Sequence, residues 1–434
     1  MNHKSHPVDP TSAQALELND LRLALVDTGD AVTYEKWVQA DNRGFHGDWL
    51  KDDEVATMMG NMAYRRTTGV YDDSAVDPEA PVATVNSWPA PLTVPGGTVD
   101  AWAISSVTVA PTHRRRGIAR NLLEAELRTA HALGVPLAML TVSEATIYDR
   151  FGFAPAMVVA DLEIDTRRAR FTGPAASGRV QFVDRAQLRT EVESLLERGV
   201  AATVGELPGW PGLWNRIFGL TPASADTGRK TRAVRFDDAA GEPQGFALYT
   251  LKEDESDYSK HTATVSYLLA LTPDAYAGLW QHVLELDLTS TVKAPLRSAA
   301  EPLIWQVSDQ RAIRATHHDH LWLRILDVPA ALSARTFAAP LDLTIEVTDD
   351  LGFTSGAYKL RAAGTEPNLR VEPVETPTPD LTLSVNALSA LYLGGVKPTT
   401  LRDAGHITEH NLGAVASLEL AFRSPTTPYT SIWF

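Results

Sequence analysis

The sequence predicts a mixed α/β protein with more than one domain, and three observations support this. The chain has 434 residues, whereas a single domain usually has roughly 100–200. Apolar residues make up 44% of the chain and charged residues 21%, which is ordinary for a globular protein. Apolar runs with the two-residue period of strands, such as 341–347, alternate with segments of helical spacing, such as 117–127.

Composition limits the function. Lys and Arg number 39, and Asp and Glu number 54, which gives a formal charge of −15. This balance argues against general nucleic-acid binding, which needs positive charge to displace phosphate counterions, and it is compatible with a cationic ligand. Cysteine is absent, so disulfides, thiolate metal ligands and thiol nucleophiles are excluded. We find no apolar stretch of membrane-span or signal-peptide type, and we expect a cytoplasmic protein that does not enter a membrane.

The chain divides into segments at changes of pattern. The apolar run 158–164 reads as a strand that closes a first domain, and the small polar residues 172–178 that follow are typical of a turn or linker. A strand-like run at 321–326 opens the last domain. We therefore expect a disordered tail at 1–20 and domains at 21–165, 166–308 and 309–434.

One internal repeat is visible. A strand at 104–109, a turn and a helix at 117–127 are echoed by a strand at 265–271, a turn and a helix at 276–286. When Pro111 is aligned with Pro273, Tyr276 takes the position of Arg114, and Leu279 that of Gly117. The pattern predicts a duplicated α/β unit in which only the first copy keeps a functional site.

The first copy carries an anion-binding pattern. Its turn contains Arg114-x-x-Gly117-x-Ala119, which follows a strand and opens a helix. The free N–H groups and positive dipole end of a helix N-terminus bind anions, and Gly117 allows the backbone to approach a phosphate. With Arg115, Arg116 and Arg120 nearby, a diphosphate is the natural partner. On these residues alone, a solvated basic helix start fits equally well.

The residues that follow add a second motif. A strand-like run at 138–143 leads into 144–153, which place Tyr148 on a short helical turn before an aromatic-glycine turn. The order strand, Arg-x-x-Gly-x-Ala turn, helix, strand and Tyr-x-x-Phe-Gly-Phe resembles the GNAT superfamily of acyl-CoA-dependent N-acetyltransferases. The resemblance implies that the first turn holds the CoA pyrophosphate. It also implies that the preceding strand splays from its neighbour to bind the pantetheine arm, and that the aromatic-glycine segment lies near the thioester.

The resemblance is closer to one family within GNAT. Ser-Val-Thr-Val-Ala-Pro-Thr-His-Arg-Arg-Arg-Gly at 106–117 and Thr-x-Ser-Glu-x-x-Ile-Tyr-x-Arg-Phe-Gly at 141–152 are similar to Eis-type (enhanced intracellular survival) acetyltransferases. Further matches lie at 245–249, 321–332, 390–395 and 433–434. The resemblance implies an N-terminal active GNAT domain, a central degenerate GNAT domain and a C-terminal sterol-carrier-like domain. It further implies a homohexamer that acetylates small-molecule amines, notably those of aminoglycoside antibiotics.

The resemblance also implies roles for individual residues. Tyr148 falls on the family's catalytic tyrosine, a general acid, and Phe434 on its C-terminal residue, whose free carboxylate is taken as the general base. Acetyl-CoA is the implied co-substrate, and no metal is expected. The residues implied to bind CoA are Val107, Thr108, Val109, Arg114, Arg115, Arg116, Gly117, Ile118, Ala119, Arg120, Ser143 and Glu144.

The implied chemistry is consistent. An alkylammonium must lose a proton before it attacks a thioester, and a neighbouring carboxylate can receive that proton. A phenol can protonate the departing thiolate, and backbone N–H groups near Val109 could polarise the carbonyl. A second interpretation is a non-catalytic acyl-CoA- or lipid-binding protein. The intact motif at 114–119 together with Tyr148 favours the enzyme.

Three other patterns compete with this interpretation. His406-Ile-Thr-Glu-His410 matches a zinc-peptidase pattern, but we expect its histidines to straddle the start of a helix capped by Thr408. The histidines at 317–320 fit a polar turn before a strand better than a metal site. An acidic, aromatic-rich segment fits a polycation site or a solvated helix end equally well; it comprises Trp37, Phe45, Asp48, Trp49, Asp52, Asp53 and Glu54. Trp433 stands where some Eis-type proteins have an acidic side chain.

Overall fold

The computed structural model describes residues 2–363, 370–375 and 378–434. The chain forms two compact units. The first contains the chain up to Met157, then His320–Pro425 and Phe434. The second contains Val158–Asp319 and Thr426–Trp433.

The elements are numbered in chain order. The described strands are β1 (Arg22–Leu25), β2 (Arg66–Tyr71), β3 (Ala83–Val94), β4 (Gly97–Val109), β5 (Leu137–Thr141), β6 (Ala154–Pro155), β7 (Val158–Asp165), β8 (Arg179–Phe182), β9 (Thr231–Asp237), β10 (Pro243–Lys252), β11 (His261–Ala270), β12 (Thr289–Ser298), β13 (Ile313–Asp319), β14 (Leu321–Ile325), β15 (Leu341–Thr348), β16 (Gly356–Ala362), β17 (Arg370–Val374), β18 (Leu381–Ser384) and β19 (Ile407–Glu409). The described α-helices are α1 (Pro10–Glu17), α2 (Ala31–Gly44), α3 (Asp52–Met62), α4 (Ile118–Ala132), α5 (Arg185–Glu191), α6 (Glu193–Ala202), α7 (Leu213–Ile217), α8 (Ala225–Lys230), α9 (Pro273–Leu284), α10 (Val328–Ser333), α11 (Val385–Leu391), α12 (Pro398–Asp403) and α13 (Ala414–Phe422).

The first sheet lies in the first unit and has the strand order β1-β2-β3-β4-β5-β14-β6. Strands β1 to β4 form an antiparallel meander, and β5 returns parallel to β4 after the crossover helix α4. Helix α4 buries the predicted stripe of Ile118, Leu122, Leu123 and Leu127. This stripe fixes which face of α4 packs on the sheet, and the short turn after β4 places the N-terminus of the helix at the end of that strand.

Helices cover both faces of this sheet. Asn86 and Ser87 are neighbours on β3, so their side chains point to opposite faces. Ser87 donates a hydrogen bond to Glu126 of α4, whereas Asn86 bonds Ser106, which in turn bonds Asp41 of α2. Helices α2 and α4 therefore lie on opposite faces.

The second unit repeats this plan, which confirms the predicted duplication. Its sheet has the order β13-β7-β12-β11-β10-β9-β8, and β11 and β12 are parallel with α9 between them. Thr272 caps α9 by accepting a hydrogen bond from the Ala275 N–H, and Pro273 stands in its first turn. The helix buries Leu279, where the first copy has Gly117.

Strand membership differs from the expected domain boundaries. Strand β7, expected to close the first domain, pairs with β12 and β13 in the second sheet. Strand β14, expected to open the last domain, pairs with β5 and β6 in the first sheet. The reason is that an apolar run predicts a strand but carries no information about which sheet the strand joins.

A third sheet follows in the first unit, with the described strands in the order β17-β16-β15-β18-β19. Strand β15 alternates buried and exposed residues, as its sequence predicted, except at Thr344, which is buried. Helix α13 packs against β15 and α12. The expected disordered tail at 1–20 is not observed, because Asp9 caps α1 and the helix buries Leu16 completely. Within the described residues, no helix has the length and apolar character to cross a membrane.

Candidate active site

The first sheet opens between β4 and β5. These strands are paired only through residues 101–103 and 137–139. Beyond that point β4 continues along β3 to Val109, and β5 continues along β14 to Thr141. Within the described residues, the end of β4, with the predicted residues 107–109, is therefore unpaired on its β5 side. Such an opening leaves main-chain groups for an extended ligand.

A β-bulge lies in this unpaired stretch. Ser106 and Val107 together face Val85 of β3, and Ser106 has a φ of +58°. A bulge re-aims side chains and raises the local twist. Here the Ser106 side chain points to α2, on the face opposite α4.

The turn between β4 and α4 exposes main-chain N–H groups. Arg115 and Gly117 both have positive φ angles, 64° and 75°. Gly117 is the N-cap of α4, and no side chain of the described residues caps this terminus. The first N–H groups of the helix, from Ile118 onward, have no intrahelical acceptor. The turn therefore has the structure of an anion site.

One arginine of the motif is held in an ion pair. Arg116 lies 3.5 Å from the Asp72 carboxylate and donates a hydrogen bond to the Asn19 carbonyl oxygen at 2.5 Å. His113 lies 3.1 Å from the same carboxylate. Hydrogen bonds from Ser74, His113 and Arg116 lower the pKa of Asp72. Arg116 therefore stabilises the turn in addition to supplying charge.

Arg114 and Arg115 are the two arginines of the motif that are available to a ligand. By contrast, Arg120 pairs with Glu124 one turn along α4, at 3.4 Å. Arg114 and Arg115 are exposed and form no ion pair within the described residues. They flank the free N–H groups, so both are suited to bind a phosphate.

Tyr148 lies in the loop that follows β5. Ser143 and Glu144 are exposed in the same loop, and Tyr148 stands between two short 3-10 helices. The Tyr148 side chain is buried, with its ring edge against Phe153 at a centroid distance of 6.2 Å. Burial, and then the charge of Glu144, raise the pKa of the phenol. Its hydroxyl has no hydrogen-bond partner among the described residues, so it is a neutral donor that a ligand can use.

A buried ion pair holds the loop that carries Tyr148. Arg324 of β14 lies 2.7 Å from Asp349 and donates a 2.8 Å hydrogen bond to the Phe151 carbonyl oxygen. A Cβ at Gly152, whose φ is +85°, would lie 2.4 Å from Nε of Arg324. Asn386 donates hydrogen bonds to the carbonyl oxygens of Asp149 and Phe153. The aromatic-glycine turn therefore needs glycine because the arginine occupies the space of a side chain.

The last residue joins the first unit. The Thr141 hydroxyl, at the end of β5, donates a 3.0 Å hydrogen bond to the main-chain oxygen of Phe434. The Phe434 ring lies edge-on to Trp88 of β3 at 5.9 Å. On Trp88, the Arg65 guanidinium stacks at 3.8 Å. The structure thus brings Phe434 to the two strands on either side of β4.

The segment before Phe434 belongs to the second unit. There the Ser431 N–H donates a 3.0 Å hydrogen bond to the Glu206 carboxylate, and the Tyr429 hydroxyl donates one to Leu296. Trp210 donates to the carbonyl oxygen of Trp433. Glu206 is buried, which raises its pKa to about 7. No sequence pattern indicates this contact, because Glu206 becomes significant only through its position beside the segment that ends the chain.

A polar network beside the bulge is likewise not indicated by the sequence. The Ser106 hydroxyl lies 3.1 Å from the Asp41 carboxylate and from the Asn86 amide nitrogen. The Asn86 oxygen accepts a 3.2 Å hydrogen bond from Arg65. These residues come from four separate segments of the chain, so no sequence spacing could have linked them.

The acidic, aromatic-rich segment is not one cluster. Trp37 is fully buried and donates its N–H to the Thr68 carbonyl oxygen, so it belongs to the core. Residues 52–54 form the exposed acidic first turn of α3, where negative charge is favoured by the helix dipole. Trp49 is 78% exposed. The helix dipole therefore explains the acidic turn of α3 without a polycation ligand.

The histidine patterns lie on strands. His317 and His318 are in β13, and His406 directly precedes β19, so the predicted helix start at Thr408 is wrong. His410 bonds the Thr382 hydroxyl at 2.9 Å. Among the described residues, no group of three or more His, Cys, Asp or Glu side chains could hold a metal ion.

The duplicated fold, the splayed strands and the anion-binding turn define an acetyltransferase of the GNAT superfamily. Comparison with family models supports this. Residues 29–156 and 207–325 each match an acetyltransferase (GNAT) domain, and residues 328–431 match a sterol carrier protein domain. The predicted tandem GNAT domains and C-terminal sterol-carrier-like domain are thus confirmed.

Comparison with individual relatives shows to which family of the GNAT superfamily the chain belongs. The chain is 34% identical over 401 residues to an uncharacterized N-acetyltransferase from Streptomyces coelicolor, across 91% of this chain and 96% of the relative. It is 33% identical to the N-acetyltransferase Eis of Mycobacterium tuberculosis over 353 residues, which are 79% of this chain and 83% of Eis. The crystal structure of Eis1 from Mycobacterium abscessus superposes with a TM-score of 0.81 at 27% identity, covering 95% of this chain and all of that one. The chain belongs to the Eis-type N-acetyltransferases, whose GNAT fold implies acetyl-CoA as co-substrate.

Proposed function

We propose that this enzyme transfers the acetyl group of acetyl-CoA to amino groups of cationic acceptors such as polyamines, aminoglycosides or lysine side chains. The hydrogen bond between Thr141 and Phe434 carries this proposal. Because Thr141 ends β5, where β5 has already parted from β4, the last residue of the chain lies on the sheet that bears the CoA motif. A terminal carboxylate there is suited to act on an amine.

The N-terminus of α4 is the proposed CoA side of the site. The free N–H groups that follow Gly117 and the guanidinium groups of Arg114 and Arg115 would bind the pyrophosphate. Residues 107–109 would hydrogen-bond the pantetheine arm, and the loop at Ser143 and Glu144 would border it. Acetyl-CoA, when bound, supplies the acetyl group as a thioester.

The carboxylate of Phe434 is the proposed general base. Its negative charge would attract the acceptor ammonium and accept a proton from it, which leaves a neutral amine as the nucleophile. The Thr141 hydroxyl orients this carboxylate. Trp88 supports the Phe434 ring and limits its rotation.

Tyr148 is the proposed general acid. Burial raises the pKa of its phenol, so the group is protonated at neutral pH. Its hydroxyl is free to donate that proton to the departing CoA thiolate. The N–H groups near Val109 would polarise the thioester carbonyl as this bond breaks.

Two further expectations belong to this proposal. The hexamer and the cytoplasmic location implied by sequence analysis stay predictions. The particle mass from size-exclusion chromatography with light scattering tests the first. Fractionation of the native cell tests the second.

A thiol-release assay tests the proposed function. Purified protein and acetyl-CoA are incubated with an acceptor series of polyamines, aminoglycosides and lysine peptides, and the free thiol of CoA is measured. We expect amine-dependent thiol release together with an acetylated product of the added mass. Binding of acetyl-CoA without thiol release for any acceptor would instead support the acyl-CoA-binding interpretation.

A further inference from the structure

Asp41 of α2 is a buried carboxylate with incomplete partners. It is 5% exposed, and its Oδ2 lies 3.1 Å from the Ser106 hydroxyl. Its Oδ1 is buried and has no hydrogen-bond partner among the described residues. Burial raises the pKa of Asp41 to about 7, although Ser106, the charge of Arg65 and the nearby Thr84 hydroxyl lower it. A buried carboxylate normally has more partners than this, because leaving one unsatisfied is costly.

A second buried carboxylate in the same unit, Glu126, has more partners than Asp41. Glu126 of α4 is 2% exposed and accepts hydrogen bonds from Ser87 and Trp102. It also lies 3.7 Å from the Arg66 guanidinium. Glu126 is thus fully explained as a structural group on the opposite face of the sheet. Asp41 has no comparable structural explanation.

The position of Ser106 connects Asp41 to the site. Ser106 lies on the β4 bulge, beyond the last residues paired with β5. Asn86 donates a 3.1 Å hydrogen bond to the Ser106 hydroxyl oxygen and accepts one from Arg65. Arg65 stacks on Trp88, which also contacts the ring of Phe434. One continuous set of contacts therefore runs from Asp41 to the proposed base.

Resting on the acetyl transfer proposed above, we propose that Asp41 positions the acceptor amine by controlling the direction of the Ser106 hydroxyl. When Asp41 is ionised, the Ser106 hydrogen points to the carboxylate. Asn86 takes one lone pair of the hydroxyl oxygen, and the other accepts an N–H of the acceptor. When Asp41 is protonated, its own O–H donates to the Ser106 lone pair that the acceptor N–H would otherwise use. The Ser106 hydrogen then turns toward the acceptor and opposes a cation.

The other charged groups around Asp41 do not change charge near neutral pH. Arg65, between α3 and β2, interacts with Asp41 and stays cationic. Tyr34, on α2 itself, is buried, and burial raises the pKa of its phenol. Among these groups only Asp41 is expected to change charge near pH 7. Burial also raises the pKa of Glu206, beside the segment before Phe434, to about 7, so a substitution of Asp41 is needed to assign the change.

The test is the substitution Asp41→Asn. It keeps the shape of the side chain, and its amide donates to Ser106 as a protonated carboxyl would. We expect the KM for the amine at pH 8 to rise about tenfold, the value of one hydrogen bond to a charged group. The rise of kcat/KM between pH 6 and pH 8 should flatten, while the KM for acetyl-CoA stays unchanged.

Three controls separate this role from a structural one. Glu126→Gln alters the other buried carboxylate and should keep the wild-type pH profile. Ser106→Ala should raise the KM for the amine by a similar factor. The double variant Asp41→Asn with Ser106→Ala should be no worse than either single variant, because the two residues act as one unit.

The outcomes are distinct. If the wild-type enzyme releases thiol but Asp41→Asn keeps its KM and pH profile, or if the two substitutions act additively, the role of Asp41 is overturned. If the wild-type enzyme releases no thiol with any amine, the proposed function itself fails, and the role of Asp41 with it.

Discussion

The Thr141 hydroxyl donates a 3.0 Å hydrogen bond to the main-chain oxygen of Phe434, a residue 293 positions later. Thr141 is the last residue of β5, and the same loop leads to Tyr148 seven positions on. The relationship therefore links the end of the chain to the strand that borders the candidate site. It also fixes the orientation of the main-chain group to which we assign proton acceptance.

The substitution Gly117→Val tests the proposed phosphate site. Gly117 has a φ of +75°, a conformation that β-branched residues rarely adopt. Valine would displace the free N–H groups at the start of α4, so we expect the KM for acetyl-CoA to rise at least tenfold. The measurement is initial rate against acetyl-CoA concentration at saturating amine.

Gly134→Val is the matched control for that substitution. Gly134 has a φ of +72°, follows the other end of α4, and has open space around it. It should have a similar effect on stability, because the backbone strain is the same. Its KM for acetyl-CoA should match the wild type. Equal effects of the two substitutions would contradict the location of the pyrophosphate.

Tyr148→Phe removes a hydroxyl that has no partner among the described residues, while the ring contact with Phe153 is kept. We expect the melting temperature to stay within about 2 °C and kcat to fall by 10²–10⁴-fold, the usual contribution of a general acid. Tyr71→Phe, which removes another buried phenol of the same unit, should keep kcat. Full activity of Tyr148→Phe would eliminate its role as the acid.

Glu206 gives a prediction about stability and pH. Burial raises its folded-state pKa to about 7, above its unfolded value of roughly 4.3. Between these two values the folded state binds more protons than the unfolded state, so stability falls as pH rises and levels off above about pH 7. The total loss is on the order of 3 kcal/mol.

Thermal unfolding of Glu206→Gln from pH 4.5 to pH 8 checks this. The variant should lose the part of the decline in melting temperature that Glu206 contributes, and Asp41, whose pKa burial also raises to about 7, should contribute the remainder. Glu193→Gln, at an exposed ion pair in the same unit, should keep the wild-type decline. Identical slopes for wild type and Glu206→Gln would contradict the burial of an uncharged Glu206.

Sequence patterns predicted the parts of the fold that depend on local structure. The stripe of Ile118, Leu122, Leu123 and Leu127 specifies α4, and the arginine-glycine turn before it predicts an anion site. The repeat at α9 was visible for the same reason. These features need only neighbouring residues, so a single sequence shows them.

Long-range pairing could not be predicted in this way. Strands β7 and β14 have ordinary apolar patterns. Nothing in those patterns indicates that β7 joins the second sheet or that β14 joins the first sheet. The contacts of Asp41 with Ser106 and of Arg65 with Asn86 span 65 and 21 positions. Only the folded sheet shows that these polar residues share one face.

The central claim is that the terminal carboxylate of Phe434 is the general base, and a one-residue extension tests it most directly. Adding Gly after Phe434 converts that carboxylate into an amide and moves the charge away, while Phe434 can still pack on Trp88. As a control, Phe434→Leu keeps a terminal carboxylate but loses the aromatic contact, so its kcat should fall less. We predict that kcat of the extended enzyme falls by about 10²–10⁴-fold, with the KM for acetyl-CoA unchanged. An extended enzyme with wild-type kcat and an unchanged pH profile would contradict the claim.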